Sequence, residues 1–309
     1  MRLIRSLYCF TLSLILISPL SASTKFTSPE CRPLVLDAAG YTGPSKYNNG
    51  LLWKVDRPGQ RPSYVFGTIH VADEAILDLP SIVKNALEHS DSFVMEALPD
   101  PAQAMLLIGM MYFSDGKKLS DLLSRKLFGR AVEILAAYHL TEQATASMKP
   151  WAAFLIMNYP AEFGIVLDVE LLRLAQQKGI EVYGLETLEE QGNILNNLEY
   201  DAQVRLLIDT ICHYDVVVDD IEMMKQLYLK RDLKGLFEFS HRYSIADDTV
   251  YKVLLKKLLT ERNYIMAERM QPMLEDGNAF IAIGAMHLPG KEGVLNLLKQ
   301  RGYNISLLY

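Results

Sequence analysis

The sequence predicts an α/β protein: a mixed central sheet flanked by helices, with a helical insertion. Three observations carry this. Short apolar, β-prone runs around Tyr64-Val65-Phe66 and Phe280-Ile281-Ala282-Ile283 read as buried strands of a parallel sheet, from opposite ends of the chain. A helix with Leu171, Leu172, Leu174 and Ala175 stops at Gly179, and the run Ile180 to Leu185 follows it as a strand. That helix-glycine-strand order belongs to parallel α/β layers. Much of the chain between these runs keeps its apolar residues at helical spacing.

In chain order, Arg2 and Arg5 precede an apolar run from Leu7 to Leu20, and the small residues Ser21, Ala22 and Ser23 follow. This pattern predicts a signal peptide over residues 1–22, with an uncleaved signal anchor as the alternative. The run falls short of the roughly 20 apolar residues of a full span, and no later segment reaches that length without charges. A mature chain without a stable membrane span, periplasmic or secreted, is expected. Cys9 lies inside the run, not at its end, which argues against a lipid anchor.

Residues 23–50 read as an irregular lead-in, and 51–309 as the domain. Leu51 to Val55 and the run from Tyr64 predict a hairpin, turned by the Pro-Gly punctuation of Arg57 to Pro62. Asp73 and Glu74 suit a loop or helix cap, and Pro80 opens a helix with Ile82, Val83, Ala86 and Leu87 on one face. Asp91 to Glu96 is a short strand ending in an acid. Pro99 and Pro101 mark a break, after which the insertion, about 101–177, is expected to be helical. Its methionines suit an adaptable apolar surface or ordinary helix packing. Leu188 to Lys234 reads as largely helical, with Val216-Val217-Val218 either strand-like or helix interior. Val250 to Leu274 reads as one long amphipathic helix, Asp276-Gly277-Asn278 as a turn, Glu292 to Gln300 as a helix and Asn304 to Leu308 as a last strand.

Half of the 309 residues are hydrophobic, enough for a substantial core, and the formal charge is −6. Losing residues 1–22 removes two of the 31 basic residues and none of the 37 acids, which takes the charge to −8. An acidic chain with no basic face argues against nonspecific nucleic-acid binding. Export would leave Cys31 and Cys212, which an oxidising compartment permits to pair; sequence does not report their separation. Neither lies in a motif that activates a thiol.

The chemistry concentrates in Gly67-Thr68-Ile69-His70 and Gly284-Ala285-Met286-His287. Each glycine is read as letting the chain turn off a strand and letting a ligand approach the backbone. Ligand sites lie outside the carboxyl ends of strands in α/β sheets, so both imidazoles are expected in one cleft. Two G-x-x-H motifs enclosing Ser92-Phe93-Val94-Met95-Glu96, Val182 to Thr187 and Glu261-Arg262-Asn263 resemble the TraB/GumN (Tiki-like) family, from about Leu51 to the C-terminus. The resemblance implies a Tiki/erythromycin-esterase-like fold and a metal-dependent hydrolase, with protease activity for some members.

His70 and His287 are the leading metal ligands, for a divalent ion such as Mn, Co or Zn. Glu96 is the third ligand or the general base, because two imidazoles and a carboxylate leave open positions for water and substrate, with a helix-capping or salt-bridging acid as the alternative. Glu186, after the next strand, is a further ligand or a hydrogen-bond acceptor for an imidazole. Arg262 is read as holding a substrate carboxylate or carbonyl, and Asn263 as donating to a developing oxyanion, with Glu261-Arg262 as a solvated charged pair the alternative. Asp73 is a weaker candidate near the mouth. His89, His139, His213 and His241 lack this framing. H-E-x-x-H and G-x-S-x-G are both absent. The expected substrate is a peptide or protein. The competing readings are a non-catalytic peptide- or polysaccharide-associated binding protein and a hydrolase of another bond, such as an ester.

Overall fold

A computed structural model describes residues 26–36, 46–161, 164–240, 243–245 and 249–309. The expected signal peptide lies outside them, as do part of the lead-in and His241. The strands are β1 (Leu34–Leu36), β2 (Leu52–Asp56), β3 (Ser63–Thr68), β4 (Ser92–Ala97), β5 (Glu181–Glu186), β6 (Tyr243–Ile245), β7 (Ala279–Gly284) and β8 (Asn304–Leu307). Six of them form the main sheet in the order β5-β4-β7-β3-β2-β8. β5, β4, β7 and β3 run parallel, whereas β2 is antiparallel to both β3 and β8. The sheet is therefore mixed, and the expected hairpin is the β2–β3 pair.

β4 and β7 occupy the interior because both of their faces are apolar. Ala279 to Ile283 are fully buried, and the Phe280 ring lies 5.9 Å from Phe66 and 6.2 Å from Phe93. A strand covered on two sides has no reason to alternate, which is why its sequence is a continuous apolar run. Four parallel neighbours end at the same sheet edge. That common edge sets the site.

The helix Leu167–Gln177 packs on the sheet through Leu167, Leu171, Leu172 and Ala175. The earlier helices Arg125–Ala136 and Pro150–Met157 pack elsewhere, in a second core around Leu127, Leu135, Trp151 and Met157. That core also draws Leu206, Leu207 and Ile211 from the helix Tyr200–Cys212. A disulfide between Cys31 and Cys212 ties the lead-in to it.

Three local readings change, and one left open is decided. The lead-in is not irregular throughout, because β1 pairs antiparallel with β6. Val216-Val217-Val218 is helix interior, within Tyr214–Leu229. The region 250–274 is not one helix. A π-helical segment, Lys256–Glu261, separates Thr249–Leu255 from Arg262–Arg269, and Pro272 sits in the first turn of a new helix, Gln271–Asp276. Proline is favoured there because its missing N–H has no helical partner at that position. The helix expected from Glu292 begins at Val294, after Gly293.

Candidate active site

Each candidate side chain follows the carboxyl end of a parallel strand, or reaches that end from the helix Arg262–Arg269. Glu96 is the penultimate residue of β4, Glu186 is the last of β5, and His287 closes a short 3₁₀ turn, Ala285–His287, directly after β7. All three are buried, although a lone buried carboxylate is costly. Arg262 offsets the cost. Its Nη2 donates to Glu96 Oε2 at 2.5 Å and to Glu186 Oε2 at 2.7 Å, and its Nε donates to both Glu186 oxygens at 3.0 and 3.1 Å. Its Nη1 donates to the Leu258 carbonyl and lies 3.3 Å from His287 Nε2. Arg262 thus spends its donors on protein acceptors, chiefly the two carboxylates, where the sequence reading gave it to a substrate.

Gly284 N–H donates to Glu96 Oε1 at 2.6 Å. Burial works against an ionised Glu96. Its neighbours His287, Arg262 and His70, with the Gly284 N–H, outweigh burial and hold the carboxyl at about 2. Arg262 is the one whose charge does not depend on pH in the working range. Burial pushes His287 the other way for an imidazole, down to about 4, so it is neutral at neutral pH.

The tautomer of His287 follows from its partners. The Asn263 amide nitrogen donates to the Glu292 carbonyl at 2.8 Å, which turns its oxygen to His287 Nδ1 at 2.6 Å. Nδ1 therefore carries the proton, and the unprotonated Nε2 accepts from Arg262 Nη1 at 3.3 Å and lies 3.7 Å from Glu96 Oε1. In this arrangement Asn263 orients an imidazole, and its amide donor is already engaged.

His70 lies at the rim, two residues past β3, with a side chain 42 % exposed. Its Nδ1 is 2.9 Å from Asp168 Oδ2, and the other Asp168 oxygen accepts from Thr68 Oγ1 at 2.7 Å. Desolvation pulls the His70 pKa down, but the buried Asp168 carboxylate overrides it and raises the pKa to about 9. The Tyr159 ring stands 6.3 Å from the imidazole.

Neither motif glycine has a left-handed backbone; both are required by close approach. A Cβ on Gly67, which lies inside β3, would meet Leu288 Cδ1 at 2.8 Å and the Ala285 backbone at 3.1 Å. A Cβ on Gly284 would meet Glu96 Oε1 at 3.1 Å and His287 Cδ2 at 3.3 Å. The first motif thus packs against the second, and the second leaves room for the carboxylate.

Asp73 does not join the cluster: it caps the helix Glu74–Leu77 and pairs with Lys225. Sequence reasoning missed Asp168, Gln191 and Tyr159. Gln191 Nε2 donates to Glu186 at 3.2 Å and to Glu96 at 3.4 Å. Asp168 left a signal, because its spacing to Leu171, Leu172 and Ala175 places it on the buried face of its helix.

Among the described residues, no group of three or more His, Cys, Asp or Glu side chains converges to hold a metal ion. The Arg262 guanidinium occupies the space between the two carboxylates and His287. The Glu96–His287 pair nevertheless fits two ligands of one ion. Bonds of about 2.0–2.2 Å place neighbouring donors roughly 3–3.5 Å apart, close to the observed separation. Arg262 is a positive group held where both of these donors point.

This arrangement defines an α/β protein with a buried carboxylate–imidazole–arginine site at the carboxyl edge of a parallel sheet. The model of the TraB/PrgY/gumN family matches residues 51–307, and the chain belongs to that family. Its relatives include Metalloprotease TIKI2 of Danio rerio, 26% identical over 84% of this chain and 61% of the relative. Metalloprotease TIKI1 of Homo sapiens is 25% identical, over 84% and 62% respectively. Uncharacterized protein YbaP of Shigella flexneri is 24% identical, over 78% and 89%. The chain spans about three fifths of the length of the first-named relatives. No solved structure matches.

Proposed function

We propose that this protein is a metal-dependent hydrolase acting on peptide bonds. The observation that carries the reading is the unprotonated, buried Nε2 of His287 beside ionised Glu96, both facing the Arg262 guanidinium. Relatives named as metalloproteases support the same class. His287 and Glu96 would hold a divalent ion, with His70 as a third ligand once its Nε2 proton is released. Such an ion polarises a scissile carbonyl and acidifies bound water. Asp168 orients His70, Asn263 orients His287, and Arg262 keeps Glu96 ionised while sharing Glu186. Glu186 serves this reading as the anchor of Arg262 rather than as a ligand.

A cleavable signal peptide and an oxidising compartment fit the Cys31–Cys212 bond, since disulfides persist in exported proteins. No helix among the described residues is long and apolar enough to cross a membrane.

A non-catalytic peptide-binding role is the second reading, favoured by the absence of a converged three-ligand set among the described residues. Elemental analysis of the purified protein, followed by a peptide-cleavage assay with Mn²⁺, Co²⁺ and Zn²⁺, separates the two. His70→Ala and His287→Ala should each abolish metal-dependent cleavage in a protein that still folds. Full turnover by either variant rejects the hydrolase assignment.

A further inference from the structure

We propose that an apolar cavity beside the site takes one bulky apolar side chain of a peptide substrate, within about three residues of the cleaved bond. The proposal rests on the peptide-hydrolase reading. The cavity has a volume of about 300 Å³, and its walls include Met286, Leu255, Tyr251, Val217 and Met224. That volume is at the lower end of small-ligand sites, roughly 300–1,000 Å³. It suits a side chain better than an extended glycan.

Three walls continue directly into the site. Met286 and His287 share one 3₁₀ turn, which sends successive side chains about a third of a turn apart. One faces the cavity and the other faces Glu96. Asn158 lines the cavity, and the next residue, Tyr159, stands against His70. Tyr251 and Leu255 lie on the helix that runs through the π-helical segment to Arg262. Seven residues of helix from Leu255 to Arg262 span about 10 Å, the length of about three extended peptide residues.

The polar groups in the walls are already engaged. Asp209 is paired with Arg32, Asn158 Nδ2 donates to the Phe154 carbonyl, His213 Nε2 contacts the Arg32 carbonyl at 2.7 Å, and Asp220 also has a partner. A charged or strongly polar side chain entering there would lose water without gaining a free partner. The wall at Leu34 is fixed from outside the family-matched region, through the Cys31–Cys212 bond. That segment and the second core, rather than the sheet, would set substrate preference.

The test uses the full chain loaded with Mn²⁺ and short peptides that differ at one residue near the cut. Peptides carrying Leu, Met or Phe should exceed those carrying Gly or Asp by about tenfold or more in kcat/KM. Val217→Trp, which fills the cavity, should erase that preference while turnover of the Gly peptide holds. Val217→Ala, the variant that adds no bulk, should shift preference toward Phe. A flat profile in the wild type, or an unaltered preference in both variants, overturns the proposal. If no peptide is cut, the hydrolase reading fails, and the cavity is judged separately by N-acetyl-leucinamide binding to the metal-free protein. Binding to the wild type but not to Val217→Trp upholds the cavity, and no binding overturns it.

Discussion

Asn263 fixes the orientation and tautomer of His287, and its value should show in metal affinity. Removing the partner of a ligating imidazole typically costs 10–100-fold. Asn263→Ala should therefore weaken Mn²⁺ or Zn²⁺ binding by about that factor in calorimetric titration; unchanged affinity would remove Asn263 from this role. His70, Glu96, His287, Arg262 and Asn263 were legible because each stands in a short motif at a strand end or on the helix serving it. Their working relations were not. Nothing in the order of residues says that Arg262 would bridge Glu96 and Glu186, or that Asp168 would reach His70 across 98 positions of chain.

Among the elements, the helix Leu188–Asn196 shows how local and distant contacts combine directly after β5. Thr187 and Glu190 form a capping box, and Glu190 also pairs with Arg269 on the helix that carries Arg262. Hydrogen bonding from Arg269 leads the causes that hold the Glu190 carboxyl at about 2. Its folded pKa lies below the ordinary value of 4.5, so this stabilisation is present above about pH 4.5 and is lost as pH falls through about 2. The pair is largely exposed, so solvent screens it. Glu190→Gln retains a capping-box acceptor but not the charge. It should cost no more than about 1 kcal/mol in denaturant unfolding near neutral pH, and the gap should close toward pH 2. A gap independent of pH would assign the effect to the cap instead. The reading of one long amphipathic helix from Val250 to Leu274 failed at this scale, because a π-helical segment preserves amphipathicity while shifting register.

For the whole molecule, the Cys31–Cys212 bond closes a loop across 181 positions and joins the lead-in to the second core. Replacing both cysteines with serine should lower stability by about 2–5 kcal/mol, measured by thermal or denaturant unfolding without reductant. The same loss should follow reduction of the wild type, and equal stability of the two forms would mean that the bond contributes little. By itself, the sequence determined the α/β class, the strand-end positions of the acids and the two G-x-x-H motifs, because backbone preferences and apolar periodicity act over a few residues. Only the tertiary structure decided that β7 lies between β3 and β4, that the two motif glycines are demanded by packing, and that Arg262 fills the space between Glu96, Glu186 and His287. Those outcomes depend on which distant surfaces meet and on whether buried charges find partners, and no short stretch of chain carries that information.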